Sequence, residues 1–273
     1  MARALTIAGS DSGGGAGIQA DLKVFLALGC HGMSAVTALT AQNTVGVTHI
    51  HEVTPEFVRA QIDAVVSDIG LDAAKTGMLA SEPVVTAVAT AVADHSITPL
   101  VVDPVFISKH RDSLLARDAI GALRSRLFPL ATVVTPNLYE AGELVGREIS
   151  TLAEMKDAAR ALHELGPSSV LVKGGHLPGE RAVDVFFDGV RMTEIDGPRF
   201  DTEDTHGTGC ALSAAIAAYL AQGSELIHAV GAAKEFVAGA IKHGLRIGSG
   251  YGPVNAGWRL SPQLLGGNSG SSP

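Results

Sequence analysis

The sequence predicts an α/β fold in which a mostly parallel sheet is covered by helices on both faces. Short apolar runs rich in branched residues, typical of buried strands, alternate along the chain with longer segments whose apolar residues recur at helical spacing. Such alternation joins neighbouring parallel strands through helical crossovers. Because ligands of these sheets bind beyond the carboxyl ends of the strands, we expect the functional site there.

The order of the elements follows from the same patterns. Strands are predicted at 4–8, 34–39, 100–102, 132–135 and 170–172, and amphipathic helices at 18–28, 55–69, 82–93, 115–127 and 152–165. Asp188-Gly189 lies between β-rich runs at 182–187 and 190–195, which predicts a hairpin and antiparallel strands. Alanine-rich helices follow at 209–221 and 225–245. We assign 1–260 to one domain and 261–273 to a flexible tail.

Composition excludes several classes of protein. With 46% hydrophobic and 18% charged residues over 273 positions, the chain is globular and large enough for a substantial core. The formal charge of −8 argues against nucleic acid or an anionic membrane as partner, and no uncharged run approaches the length of a membrane span. Cys30 and Cys210 form neither a disulfide framework nor a zinc spacing. We therefore expect a soluble protein in the reducing cytoplasm.

A glycine-rich segment, 13–17, follows the first predicted strand. Gly15, Gly17 and Ala20 satisfy the dinucleotide pattern G-x-G-x-x-A, but no acidic residue lies between Asp21 and Glu52, where the ribose-binding carboxylate is expected. The Gly-Lys dipeptide of a Walker A loop is also absent. The segment is thus either a close wrap around another kind of ligand or a flexible connection between strand and helix.

The strongest motif is Thr205-His206-Gly207-Thr208-Gly209-Cys210, which runs directly into an alanine-rich helix. The backbone N–H groups of residues 207–210 converge at a helix N-terminus, where the helix dipole favours anions. Fixed donors of this kind stabilise the charge of a transferring phosphoryl group. The alternative is a glycine-rich helix cap with structural duties only.

Three predicted strands end in residues suited to phosphate chemistry. Asp103 follows one strand, and Asn137 and Glu140 follow the next, so carboxylate oxygens meet where magnesium-bound phosphates would lie. Lys173 ends a further strand, before two glycines, and supplies a point positive charge. Taken singly, each carboxylate could serve only as a helix cap, and Lys173 could be an ordinary solvated lysine. Together with the 205–210 turn they predict phosphoryl transfer.

At these residues the sequence resembles the ribokinase superfamily and, within it, the hydroxymethylpyrimidine and phosphomethylpyrimidine kinases of thiamine biosynthesis. The resemblance extends roughly over 4–254 and is most specific at 8–21, 40–44, 75–79, 173–176 and 205–210. It implies a ribokinase-like three-layer α/β/α sandwich and a homodimer. It also implies ATP and Mg²⁺ as cofactors, with phosphorylation first of 4-amino-5-hydroxymethyl-2-methylpyrimidine and then of its monophosphate.

The resemblance also implies residue roles. The pyrimidine contacts of the family fall on Gly9, Asp21, Gln42 and Met78. The nucleotide contacts fall on Asp103, Asn137, Lys173, Thr208, Gly209 and Lys234, and the metal ligands on Asp103 and Glu140. Catalysis is assigned to Gly207, Gly209, Cys210 and Lys173.

Cys210 distinguishes this branch, because sugar kinases of the superfamily usually carry an aspartate base at that position. A helix N-terminus lowers the pKa of a cysteine, so we expect a Cys210 thiolate that accepts the proton of the substrate hydroxyl. The alternative is a buried, inert cysteine. Only the first transfer, to an alcohol, is expected to need a base, since the second acceptor is a phosphate that is already anionic.

Two segments depart from the family pattern. Residues 107–112 lack the glycine that relatives carry in this loop, which puts the closing of a lid in doubt. Glu203 and Asp204 replace a common Lys-Asn pair and are expected to add negative charge beside the phosphate turn. Two alternatives stay open. One is a pyridoxal kinase, and the other is a non-catalytic pyrimidine-binding relative, against which the retained Asp103, Lys173 and Cys210 argue.

Overall fold

The computed structural model describes residues 1–106, 117–175 and 177–260. Its strands are β1 (Arg3–Asp11), β2 (His31–Asn43), β3 (Gly46–Glu52), β4 (Ala73–Thr76), β5 (Leu100–Val102), β6 (Val133–Val134), β7 (Val170–Val172), β8 (Asp184–Phe187) and β9 (Met192–Ile195). Over these residues they form a nine-stranded sheet in the order β3-β2-β1-β4-β5-β6-β7-β8-β9. The pairs from β2 to β7 are parallel, and β3, β8 and β9 add antiparallel edges. The predicted mostly parallel sheet is therefore confirmed.

The helices cover both faces of this sheet. They are α1 (Gly17–Ala27), α2 (Pro55–Asp68), α3 (Glu82–Asp94), α4 (Arg117–Ala122), α5 (Leu138–Val145), α6 (Leu152–His163), α7 (Thr208–Ala221) and α8 (Leu226–Lys242). Alternate strand residues point to opposite faces. Leu5 packs into a core with α2 to α6, whereas its neighbour Ala4 packs with α1, α7 and α8. These two cores make the expected three-layer sandwich. Among the described helices, none combines the length and apolar character needed to cross a bilayer.

Three elements lie outside the predicted strand and helix ranges given above. The edge strand β3 is mostly exposed and therefore lacks an apolar pattern. The short β4 is buried throughout but carries Lys75 at its centre, which conceals the strand pattern. The helix α5 has only 8 residues and begins directly after Asn137.

Other elements differ from the prediction in their bounds. The hairpin is confirmed, but a four-residue loop, 188–191, replaces the expected two-residue turn between Phe187 and Met192. The predicted helix 115–127 is described from Arg117 and ends in a π-helical turn, Leu123–Leu127. The proposed lid 107–112, His176 and the tail 261–273 lie outside the described residues.

Candidate active site

The main cleft lies beyond the carboxyl ends of the parallel strands, as the fold class predicts. It has a volume of about 1440 Å³ and extends from the end of β1 past β4 and β5 to the region after β7. Most of the residues singled out from the sequence line it, namely Gly9, Gln42, Met78, Asp103, Asn137, Glu140, Lys173, Gly207, Thr208, Gly209, Cys210 and Lys234. The exception is Asp21, which lies beneath its floor.

The turn before α7 requires its glycines for different reasons. Gly207 caps the helix with a φ of +79°, and a Cβ there would lie 1.9 Å from the backbone oxygen of Gly15. A Cβ on Gly209 would lie 3.2 Å from Lys173 Nζ. The first turn of any α-helix leaves N–H groups without partners inside the helix. The N-terminus of α7 therefore presents backbone donors to the cleft next to a lysine ammonium, the arrangement needed to bind an anion.

Asp103 and Lys173 form an ion pair at the floor of the cleft. Lys173 Nζ donates to Asp103 Oδ1 at 2.9 Å, and the side chains of Asp103 and Lys173 are 2% and 14% exposed. Asp103 also accepts from Thr135 Oγ1 at 3.3 Å and Ser213 Oγ at 3.2 Å. Burial alone would raise the pKa of Asp103, but the Lys173 and Lys75 ammonium groups outweigh it and hold the pKa below its ordinary value. Asp103 is therefore a carboxylate that presents anionic oxygens to the cleft.

Asn137 and Glu140 both cap a helix and line the cleft, so the predicted cap is present and does not remove them from the site. Asn137 N donates to Glu140 Oε2 at 2.8 Å, and Glu140 N donates to Asn137 Oδ1 at 3.0 Å, which is a capping box. Burial raises the pKa of Glu140 to about 7. The carboxyl group therefore titrates near neutral pH.

The donor set of this region fits magnesium only with help from a ligand. Among the residues that the model describes, no group of three or more His, Cys, Asp or Glu side chains is arranged to hold an ion. Mg²⁺ is usually bound by one or two carboxylates together with water and substrate phosphates. Asp103 and Glu140 both line the cleft and are two carboxyl groups available for such a site.

Asp21 and Lys75 form a second ion pair, entirely out of contact with solvent. Lys75 Nζ lies 3.0 and 2.9 Å from the two Asp21 oxygens, and Thr6 Oγ1 donates to Asp21 Oδ2 at 2.6 Å. Both side chains are 0% exposed. Burial would lower the pKa of Lys75, but the Asp21 carboxylate outweighs it and raises the pKa. Asp21 thus lies outside the lining of the cleft and holds in place the charged Lys75, which is among the lining residues.

The sequence-based expectation for the Cys210 pKa is wrong. Burial raises the pKa of the thiol to about 11, the carboxylates of Asp21 and Asp103 add to the rise, and the Lys75 ammonium offsets only part of it. Cys210 therefore rests as a neutral thiol.

The other end of the cleft is formed by the segment after β1. A Cβ on Gly9 would lie 3.1 Å from Met78 Sδ, so these two residues meet at the floor. Asp11 ties down the glycine-rich segment, because its carboxylate accepts from the N–H groups of Gly13, Gly15 and Ala16 at 2.8, 3.1 and 2.8 Å. It is also 3.0 Å from His206 Nε2. The segment is thus held by a defined network rather than being a flexible connection.

Two further charged residues have their partners in the structure. Lys234 Nζ lies 2.7 Å from Asp184 Oδ2, and a Cβ on Gly197 would lie 2.6 Å from Lys234 Cε, so the lysine lies against the loop after β9. Asp204, expected to add negative charge at the phosphate turn, is paired with Arg246 at 3.5 Å. Among the described residues, Arg246 is thus the ion-pair partner of the Asp204 carboxylate.

Sequence reasoning missed Lys75, Asp11 and Ser213. Each left a weak signal that could have been used. Lys75 interrupts an apolar strand, Asp11 directly precedes the glycine run, and Ser213 lies one helical turn after Gly209 in an otherwise alanine-rich helix.

A ribokinase-like sandwich that brings a helix N-terminus, two carboxylates and a lysine together at its strand ends defines a kinase of small molecules. Comparison with known proteins narrows the class. Residues 11–255 match the model of the phosphomethylpyrimidine kinase family. The chain is 53% identical over 256 residues to the hydroxymethylpyrimidine/phosphomethylpyrimidine kinase of Streptomyces coelicolor, covering 94% of each chain. The chain therefore belongs to the phosphomethylpyrimidine kinase family, whose members are phosphotransferases.

Solved structures agree with this assignment. An ADP complex of Bacillus subtilis pyridoxal kinase is 41% identical, with a TM-score of 0.89 and coverage of 96% of this chain and 100% of the other. The phosphomethylpyrimidine kinase of Clostridium difficile is 42% identical, with a TM-score of 0.79 and coverage of 88% and 100%. The pyridoxal kinase and the phosphomethylpyrimidine kinase therefore both have a fold similar to that of this chain.

Proposed function

We propose that the protein transfers the γ-phosphoryl group of ATP to 4-amino-5-hydroxymethyl-2-methylpyrimidine and then to the resulting monophosphate, in thiamine biosynthesis. The observation that carries the proposal is the Asp103–Lys173 pair beside the N-terminus of α7. The pair brings a fixed cation and a carboxylate next to backbone donors within one cleft. The family membership and the identity to named pyrimidine kinases support the choice of substrate.

In this proposal different residues of the chain have different roles. The N–H groups at the start of α7 and the Lys173 ammonium stabilise charge that develops on the transferring phosphoryl oxygens, with no reorganisation during the step. Gly9, Gln42 and Met78 hold the pyrimidine, and Asn137, Thr208 and Lys234 serve the nucleotide. Asp103 and Glu140 would hold Mg²⁺, which would neutralise phosphate charge when bound. Cys210 is the candidate base of the first transfer, and its raised pKa is the obstacle to that role.

Mass analysis tests the proposal directly. Incubation with ATP, Mg²⁺ and the hydroxymethylpyrimidine is expected to give the monophosphate first and the diphosphate later. Lys173→Met is expected to lower kcat by about 100-fold, the size typical of a lost donor to transition-state charge. Lys156→Met, which removes a half-exposed lysine that pairs with Glu194, is the matched control and keeps kcat. No added phosphate with the wild type would overturn the proposal.

A pyridoxal kinase is the second candidate, favoured by the TM-score of 0.89 to the Bacillus subtilis enzyme. Its substrates also carry a hydroxymethyl group on an aromatic ring. Comparing kcat/KM for pyridoxine and for the hydroxymethylpyrimidine decides between the two. A higher value for pyridoxine would replace the pyrimidine proposal.

We also infer a homodimer that works in the cytoplasm, on the strength of the resemblance to the family. Light scattering should then give a mass twice that of the 28.0 kDa chain. Fractionation of cells should recover the protein with the cytosol. A monomeric mass at working concentrations would contradict the first inference.

A further inference from the structure

One buried contact is not used by the chemistry above. His206 is 8% exposed, and its Nε2 lies 3.0 Å from Asp11 Oδ2 and 3.4 Å from the Gln42 carboxamide. Burial would raise the pKa of Asp11, but its bonds from His206 and Gly13 outweigh this and lower it, so Asp11 is a carboxylate. A nitrogen this close to a carboxylate oxygen must carry a proton. His206 Nε2 is therefore a hydrogen-bond donor.

This donor fixes the orientation of the Gln42 carboxamide. Gln42 Nε2 is placed 3.4 Å from His206 Nε2, and Gln42 Oε1 is placed 3.1 Å from Thr40 Oγ1. Two N–H donors do not bond each other, and a half-turn of the amide exchanges its oxygen and nitrogen in place. After that half-turn the Gln42 oxygen, 3.4 Å from His206 Nε2, is the second acceptor of the one Nε2–H that Asp11 accepts at 3.0 Å, and the Gln42 nitrogen donates to Thr40. Thr40 is free to accept, because its single proton is donated to the Ser10 backbone oxygen at 2.9 Å.

We propose that His206 is a specificity-determining positioning residue, which is anchored on Asp11 and locks Gln42 with its carbonyl oxygen on the His206 side. The amide keeps one acceptor site and one N–H for the cleft, now in a fixed order. The inference rests on the proposed function in that the substrate ring is held at Gln42.

A fixed order matters to some rings and not to others. An aminopyrimidine edge carries an amino group, which only donates, beside a ring nitrogen, which only accepts, so it pairs with one orientation of the amide. The polar substituents of a pyridoxine-type ring include hydroxyl groups, which rotate and either donate or accept. A fixed Gln42 amide therefore favours binding of the aminopyrimidine and has little effect on binding of the pyridoxine-type ring.

His206→Phe tests the inference, because it removes the donor and keeps an aromatic ring. Asp11 retains its bonds from three backbone N–H groups in this variant. We expect the KM for the hydroxymethylpyrimidine to rise about twofold, because an amide that turns freely is in the binding orientation only about half of the time. The KM for pyridoxine should stay unchanged, because rotating hydroxyl groups pair with either orientation of the amide. His206→Gln, whose amide N–H replaces the imidazole donor, should recover part of the loss.

A double-mutant cycle shows whether His206 acts through Gln42. In a Gln42→Ala background, His206→Phe should cause no further rise in the KM for the pyrimidine. Equal rises for both ring substrates, or an undiminished effect in the Gln42→Ala background, would overturn the inference. If His206→Phe does not fold, His206→Asn, whose amide is too short to reach Gln42, takes its place.

The proposed function and this inference can be tested independently. Wild-type protein that does not phosphorylate the hydroxymethylpyrimidine overturns the proposed function. Calorimetric titration of the two ring compounds without ATP then still compares their affinities between wild type and His206→Phe. A loss of affinity confined to the aminopyrimidine supports the inference, and an equal loss for the two compounds contradicts it.

Discussion

Replacing Lys75 with methionine removes one half of the fully buried Asp21–Lys75 pair. Both side chains are 0% exposed, and Asp21 would keep only the bond from Thr6 Oγ1. Breaking a buried pair and leaving the other charge unpaired costs about 3–5 kcal/mol. At about 2–4 °C per kcal/mol for a chain of this size, Lys75→Met should lower Tm by about 6–20 °C.

Two further variants make this measurement decisive. Asp21→Asn combined with Lys75→Met leaves no unpaired charge and should recover at least half of the lost free energy of unfolding. Arg181→Met breaks an exposed pair with Asp196 and should cost less than about 1 kcal/mol. Urea titration followed by circular dichroism gives all of these values. The reasoning is refuted if Lys75→Met costs no more than Arg181→Met, or if the double variant is as unstable as the single one.

Three more predictions follow from the cleft. Gly207→Ala should lower the free energy of unfolding by at least about 2 kcal/mol, because Gly207 has a left-handed φ and a Cβ there would meet the Gly15 oxygen. Gly231→Ala, at a position where a Cβ meets no atom within 4 Å, should cause no such loss. Equal values from urea titration would contradict this. If Cys210 is the base, Cys210→Ala should slow the first phosphoryl transfer, to an alcohol, more than the second in a timed mass assay, and equal losses would exclude Cys210 as the base. The raised pKa of Glu140 stabilises the fold below about pH 4.5, and this contribution is lost as pH rises through about 7. The stability of wild type relative to Glu140→Gln should therefore fall between pH 5 and 8, and a flat difference would contradict this.

The predictable part of the fold is the part in which one pattern decides the outcome. Strands such as β5 and β7 are buried on both faces, so their continuous apolar runs identify them. The edge strand β3 is held by pairing to β2 and by no apolar pattern of its own. The strand β4 is stable with a lysine at its centre only because Asp21 reaches it from α1, 54 positions away.

The same distinction holds for the site. The turn 205–210 and the strand-end residues Asp103 and Lys173 are local motifs, and the structure brings them together. The bond between His206 and Asp11 joins residues 195 positions apart, and that between Ser213 and Asp103 joins residues 110 positions apart. Such contacts depend on how the layers pack and leave no spacing signal in the chain.

The pKa of Cys210 is the sharpest constraint on the chemistry. A value of about 11 leaves roughly 1 thiol in 10,000 ionised at pH 7. General base catalysis contributes about 10²–10⁴-fold, so a thiolate that must form before transfer gives up all of that gain. The loose transition state of phosphoryl transfer places little demand on a base for the alcohol. A selective loss of the first transfer in Cys210→Ala would therefore require the pKa of the thiol to fall when the cleft is filled. Lys75 already lowers the pKa of Cys210, and its partner Asp21 raises it. Whether Cys210 can act as the base therefore depends on the buried Asp21–Lys75 pair.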